Sequence, residues 1–149
     1  MNKNGHVIII VEEKEDELLF ASVFETLNYS NKITFFRDAE AALQFLNNPL
    51  NMAFIILSDI KKPRLTGLEL SQKLETDASL NIKCIAYLFF STAVIQKEII
   101  DAYSQSVQGF FIKQNNVEDL TKTVSSIMDY WKRSYHPSVL LKKELAETA

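Results

Sequence analysis

Two short, unbroken apolar runs constrain this chain more than any other feature. Val7-Ile8-Ile9-Ile10-Val11 stops at Glu12-Glu13, and Phe54-Ile55-Ile56-Leu57 stops at Ser58-Asp59. Neither run alternates apolar with polar residues, so each reads as a strand buried on both faces. Strands of that kind sit at the centre of parallel sheets whose two faces are covered by helices. The second run is also bounded sharply: Pro63 follows Asp59 by four residues and Gly67 by eight. An aspartate is therefore set where a central strand leaves the sheet. In open α/β sheets, ligands bind in the crevice outside the carboxyl ends of the strands.

The rest of the chain supplies the alternation that such a sheet requires. After the strand over 6–11, Phe20, Val23, Phe24 and Leu27 recur at helical spacing within 14–28. A short strand follows over 33–36. Asp38 is placed to cap a second helix striped by Ala39, Ala42, Leu43 and Leu46, which Asn47-Asn48-Pro49 stops. Beyond the strand over 53–58, a third helix is expected over about 65–75 and a fourth strand over 84–90. Ile95, Ile99, Ala102 and Tyr103 mark a fourth helix. Gln108-Gly109 turns the chain into a fifth strand over 110–112. Val117, Leu120, Val124, Ile127 and Trp131 stripe the last helix, which His136-Pro137 is expected to end. Five strands alternating with five helices define a doubly wound α/β sheet of parallel strands, its right-handed crossovers placing helices on both faces. Residues 1–134 form that domain, and 135–149 read as a short helix or a disordered tail.

Bulk properties exclude several functions. At 149 residues the chain fits one domain, and its net charge of −3 gives no sign of a nucleic-acid binder. A single cysteine, Cys84, excludes an internal disulfide framework and fits a reducing compartment as a structural thiol. The first apolar run is too short to span a bilayer, and no signal-peptide cleavage pattern follows it. The expectation is a cytoplasmic protein without membrane contact. His6 and His136 stand alone and are not read as metal ligands. Trp131 is expected to anchor the last helix.

Parallel strands bring their carboxyl ends to one edge. The polar residues emerging there are Glu12, Glu13, Asp59, Ser91, Thr92 and Lys113. Crowded carboxylates repel one another unless a cation joins them, and magnesium suits such a set of oxygens. On local grounds alone, Glu12-Glu13 also serve as acids at a helix start, and Ser91 or Thr92 as a helix cap.

In order along the chain, Val11-Glu12-Glu13, Asp59-x-x-x-Pro63 with Gly67, Phe90-Ser91-Thr92 and Gly109-Phe110-Phe111-Ile112-Lys113 resemble the receiver domain of bacterial response regulators. The resemblance covers about residues 5–134. It implies the flavodoxin-like strand order 2-1-3-4-5 and a stand-alone receiver that is not an enzyme. Asp59 would accept a phosphoryl group from a phosphohistidine on a sensor histidine kinase or phosphotransfer protein. Mg2+ would be held by Glu13, Asp59 and the Lys61 backbone carbonyl, with Glu12 acting through water. Lys113 and Ser91 would contact the phosphoryl oxygens, and Phe110 would turn inward as the switch aromatic. Output would be an altered interaction with a downstream protein. A homodimer through the fourth-helix to fifth-helix face is the family-based expectation.

The chain departs from that family's pattern at identifiable places. Glu13 stands where aspartate is usual, and its extra methylene pushes the carboxylate further into the pocket. Gln114 replaces the proline that usually follows the lysine. The peptide there, normally cis, is expected to be trans, because cis costs about 2.5–4 kcal/mol at a non-proline residue. Lys62 and Ala86 replace a usual apolar residue and a frequent proline, and Phe110 lacks a tyrosine hydroxyl. These departures motivate an alternative, a pseudo-receiver that binds partners without phosphorylation. A flavodoxin-like cofactor binder is disfavoured because Glu12-Glu13-Lys14-Glu15-Asp16 follows the first strand, where a phosphate would need a cradle.

Overall fold

The computed structural model describes residues 2–59, 85–92 and 108–135. The third and fourth helices expected from sequence lie outside the described residues, as do Lys61, Pro63, Gly67, Cys84, His136 and the tail from 136 onward. The described chain runs β1 (His6–Ile10), α1 (Lys14–Leu27), β2 (Ile33–Phe36), α2 (Ala39–Asn47), β3 (Ala53–Asp59), β4 (Ala86–Ser91), β5 (Gly109–Ile112) and α3 (Val117–Arg133). All strand pairs are parallel, and the sheet order is β2-β1-β3-β4-β5. The doubly wound order expected from sequence is the one observed.

The continuous apolar runs are buried on both faces as their composition requires. Val7, Ile9, Ile55, Leu57, Leu88 and Phe90 pack against Phe20, Val23 and Phe24 of α1 and Leu120, Val124, Ile127 and Met128 of α3. On the opposite face Ile8, Ile10, Ile56, Tyr87 and Phe89 meet Ala39, Ala42 and Leu46 of α2. The edge strand β2 is only half buried. Close packing of β1 on β3 begins at Gly5, where a Cβ would lie 2.8 Å from the Ala53 carbonyl carbon and 2.9 Å from the Met52 carbonyl oxygen.

Helix ends follow local chemistry. Asn28 ends α1 in the left-handed region (φ 53°), its N–H donating to Phe24 O, a conformation that asparagine tolerates better than most residues. Asp38 caps α2 through a 2.7 Å bond from Ala41 N–H to its Oδ1. Asn116 caps α3 in the same way, accepting from Asp119 N–H at 2.8 Å. Helix α3 ends at Arg133, short of the His136-Pro137 stop expected from sequence, because Ser134 takes extended backbone and its N–H turns back to Trp131 O. At the amino-terminal end of the sheet, Lys132 Nζ donates to Lys3 O and Asn31 Oδ1, both at 2.6 Å, fastening α3 to the segments that lead into β1 and β2.

The strand ends decide where the functional groups emerge. β3 runs one residue further than expected, so Asp59 is its last residue, paired in register with Phe90. β4 likewise runs to Ser91, paired with Ile112. β1 stops at Ile10, one residue before Val11. No helix among the described residues is long and apolar enough to cross a membrane.

Candidate functional site

Lys113 is the residue immediately beyond β5, and its backbone N–H donates to Ser91 O at 2.8 Å. That bond extends the β4–β5 pairing past the last strand residue and fixes the start of the lysine side chain. The ammonium then crosses the edge of the sheet. Nζ donates to Asp59 Oδ2 at 2.7 Å and to Asp16 Oδ1 at 2.7 Å. The side chains of Lys113, Asp59 and Asp16 are 3%, 1% and 11% exposed. This is a buried ion cluster in which one cation faces two carboxylates. Both contacts are charge-assisted bonds at the short end of their range. With so little solvent, removing Lys113 would leave two buried carboxylates without the cation they share, which is costly.

Two of the expected site residues, Asp59 and Lys113, are thus in direct contact. Ser91 is buried at the end of β4, beside Lys113 through its backbone. Phe110 is half-buried and packs with the core on the α2 face. Its neighbour Phe111 lies on the other face, stacked on Phe90 at 5.7 Å. Glu13 occupies the cap position of α1 without a side-chain capping bond, and both Glu12 and Glu13 are exposed. They border a cavity of about 130 Å³ together with Lys14, Glu17 and Arg37. Lys61 lies outside the described residues.

Asp16 was not anticipated as a site residue. It sits in the first turn of α1, where acids are favoured by the helix dipole. A signal for it does exist in the sequence. The apolar stripe of α1 begins at Phe20, and one turn earlier that same face carries Asp16. A carboxylate on the buried face of a helix needs a partner, and the partner is Lys113, 97 residues away.

The loop after Lys113 is held by side chains instead of a proline ring. No peptide bond among the described residues is cis, so Lys113–Gln114 is trans as expected. Gln114 Oε1 accepts from the Thr123 hydroxyl at 3.1 Å, tying the loop to α3.

The donor set suits a hard divalent cation, since Glu12, Glu13, Asp16 and Asp59 offer only carboxylate oxygens at the edge that carries them. Among the described residues, no three carboxylate, histidine or cysteine side chains converge closely enough to hold one. Of the metal ligands inferred from the resemblance, Glu13 and Asp59 lie among the described residues and Lys61 does not.

A parallel five-stranded sheet in this order, with an aspartate ending the middle strand and a lysine reaching it from beyond the fifth strand, has the flavodoxin-like architecture of receiver-type α/β domains. Comparison with known proteins agrees. No family model matches the chain. It is 28% identical over 130 residues to a probable methanogenesis regulatory protein, FilR2, of Methanothrix harundinacea, covering 84% of this chain and 83% of that one. It is 29% identical over 133 residues to response regulator Rcp1 of Synechocystis, covering 84% and 88%. Among solved structures, the phosphorylated cyanobacterial phytochrome response regulator RcpA superposes with a TM-score of 0.74 at 20% identity, covering 89% of this chain and 97% of that one. The Mn2+-bound form of Rcp1 superposes with a TM-score of 0.71 at 23% identity and the same coverage. The chain is a homologue of response regulators.

Proposed function

We propose that this protein is a single-domain response regulator that accepts a phosphoryl group on Asp59 from a phosphohistidine of a sensor kinase or phosphotransfer protein. The observation that carries the reading is the 2.7 Å contact between Lys113 Nζ and Asp59 Oδ2 at the carboxyl edge of the sheet. It places a compact cation beside a buried, well-positioned carboxylate, and phosphoryl transfer depends mainly on positioning and charge stabilisation. An Asp59 oxygen attacks phosphorus, the P–O bond forms, the P–N bond to the donor imidazole breaks, and the nitrogen keeps the electron pair. A divalent cation, Mg2+ in this reading, would neutralise charge on the phosphoryl oxygens. Glu13, Asp59 and the Lys61 carbonyl would hold it, with Glu12 acting through water. The Mn2+-bound form of Rcp1 supports a divalent ion in a related domain. Lys113 follows the new phosphoryl oxygens, the Ser91 hydroxyl donates to another, and Phe110 turns toward the space that Ser91 vacates. The added charge biases a two-state equilibrium that a downstream protein reads. Residues 1–134 act as the receiver unit, with 135–149 as a tail.

The test is incubation with phosphoramidate and magnesium, followed by intact mass. One phosphoryl adduct is expected, and Asp59→Asn should abolish it. An adduct that persists in Asp59→Asn would place the acceptor elsewhere. A second reading, the pseudo-receiver, draws on the exposure of Glu12 and Glu13. It expects no adduct and no magnesium binding even at high concentration, and a magnesium titration separates the two.

A further inference from the structure

The structure assigns Asp16 as a positioning residue that holds Lys113 for phosphoryl transfer at Asp59. The inference rests on the reading of Asp59 as the acceptor and adds a residue to that site. Lys113 Nζ has two carboxylate partners at the same 2.7 Å distance, and they come from different elements. Asp59 ends the middle strand, whereas Asp16 projects from the first turn of α1. The two play different parts once the reaction starts. When an Asp59 oxygen becomes bonded to phosphorus, its negative charge passes to the phosphoryl oxygens. The lysine must then leave Oδ2 and follow that charge. A lysine whose counter-ion was Asp59 alone would lose its partner at that moment in a site nearly closed to water. Asp16 does not react, so its bond to Nζ persists through the step. The ammonium pivots about Asp16 Oδ1 from the aspartate oxygen to a phosphoryl oxygen without passing through solvent.

Burial supports this division of labour. The Lys113 side chain is 3% exposed and that of Asp16 11%, so neither has water enough to replace the other. The second carboxylate also gives the three-residue cluster one more negative group than positive, which favours a cation at this edge. Asp16 touches neither donor nor phosphorus, and its contribution passes through Lys113.

Intact-mass time courses with phosphoramidate and magnesium test the assignment on the full chain. In this reaction an Asp59 oxygen bonds to phosphorus while the P–N bond breaks, and the nitrogen leaves as ammonia after taking a proton from solvent. Asp16→Asn keeps the shape and an acceptor oxygen but removes the charge. It should slow adduct formation about 10- to 100-fold, the scale at which small misplacements act. Lys113→Met should slow it too, and the double variant should be no slower than Lys113→Met alone. Asp16→Glu, which restores the charge on a longer arm, should recover part of the rate and serves if Asp16→Asn fails to fold. Equal rates for wild type and Asp16→Asn, or losses that multiply in the double variant, overturn the role of Asp16. A wild-type chain that takes no phosphoryl group overturns instead the reading of Asp59 as acceptor, and this inference with it.

Discussion

Replacing Lys113 by methionine isolates the energetic weight of the ion cluster. Methionine keeps an unbranched chain of similar length and removes only the ammonium. Two carboxylates would then remain, Asp59 at 1% and Asp16 at 11% side-chain exposure, each having lost a 2.7 Å charge-assisted bond. Breaking a buried pair by deleting one member costs about 3–5 kcal/mol, because the remaining charge keeps its desolvation penalty. For a domain of this size that corresponds to a fall in melting temperature of about 6–20 °C. Urea unfolding followed by circular dichroism at neutral pH measures it directly. Adding Asp59→Asn to Lys113→Met removes one stranded charge, so the double variant should be more stable than Lys113→Met alone. The coupling between the two sites should then reach at least about 1 kcal/mol, within the range seen for residues in one ion network. The reasoning fails if Lys113→Met costs less than about 1 kcal/mol, the value of an exposed ion pair, or if the two substitutions add without coupling.

Two further outcomes follow from separate contacts. Gln114→Ala removes the 3.1 Å bond from the Thr123 hydroxyl and should cost about 0.5–1.5 kcal/mol in urea unfolding; Thr123→Ala should cost about as much, and the pair should not add. Nδ1 of His6 lies 2.8 Å from Thr34 Oγ1, and burial, then the charge of Lys32, lowers its pKa below the ordinary 6.5. The unfolded chain therefore takes up this proton more readily than the native one. The contribution of His6 is intact above the unfolded value and is lost as pH falls from there toward the lowered native value. The stability gap between wild type and His6→Gln, measured by urea midpoints at about pH 8 and about pH 5, should shrink at the acidic end, and a gap independent of pH would contradict this assignment.

The sheet was legible because its strands announce themselves twice, by continuous apolar runs and by the polar residue that ends each one. Ile8 and Ile9 could be placed at the centre because no pattern of alternation exposes either neighbour, and both are fully buried. Strand order was not readable from periodicity at all and came only with the resemblance. Boundaries moved by a residue or so where hydrogen bonding outlasts hydrophobicity. Asp59 and Ser91 are polar yet remain in the ladder, because their backbones still have a parallel neighbour to pair with. The end of α3 moved further, since Ser134 diverts the backbone before the proline can act.

Asp16 shows why a site is harder to read than a fold. It stands among Glu12, Glu13, Glu15 and Glu17, and by composition all five are equivalent acids at a helix start. What separates Asp16 is phase: it alone is buried, because it shares the helix face of Phe20 and Val23. Phase shows only that the carboxylate must be compensated, and the compensating cation lies 97 residues away in sequence. The link between them depends on the sheet order, which brings the end of β5 and the start of α1 to the same edge, and on the backbone bond from Lys113 N–H to Ser91 O. Without a proline after it, Lys113 still reaches Asp59. Lys113 is fixed by its backbone bond to Ser91 and by two carboxylates, and the turn behind it is tied to α3 through Thr123. Glu13, the proposed metal ligand, is exposed and makes no side-chain capping bond, so it is the departure from the family pattern that the magnesium titration tests most directly.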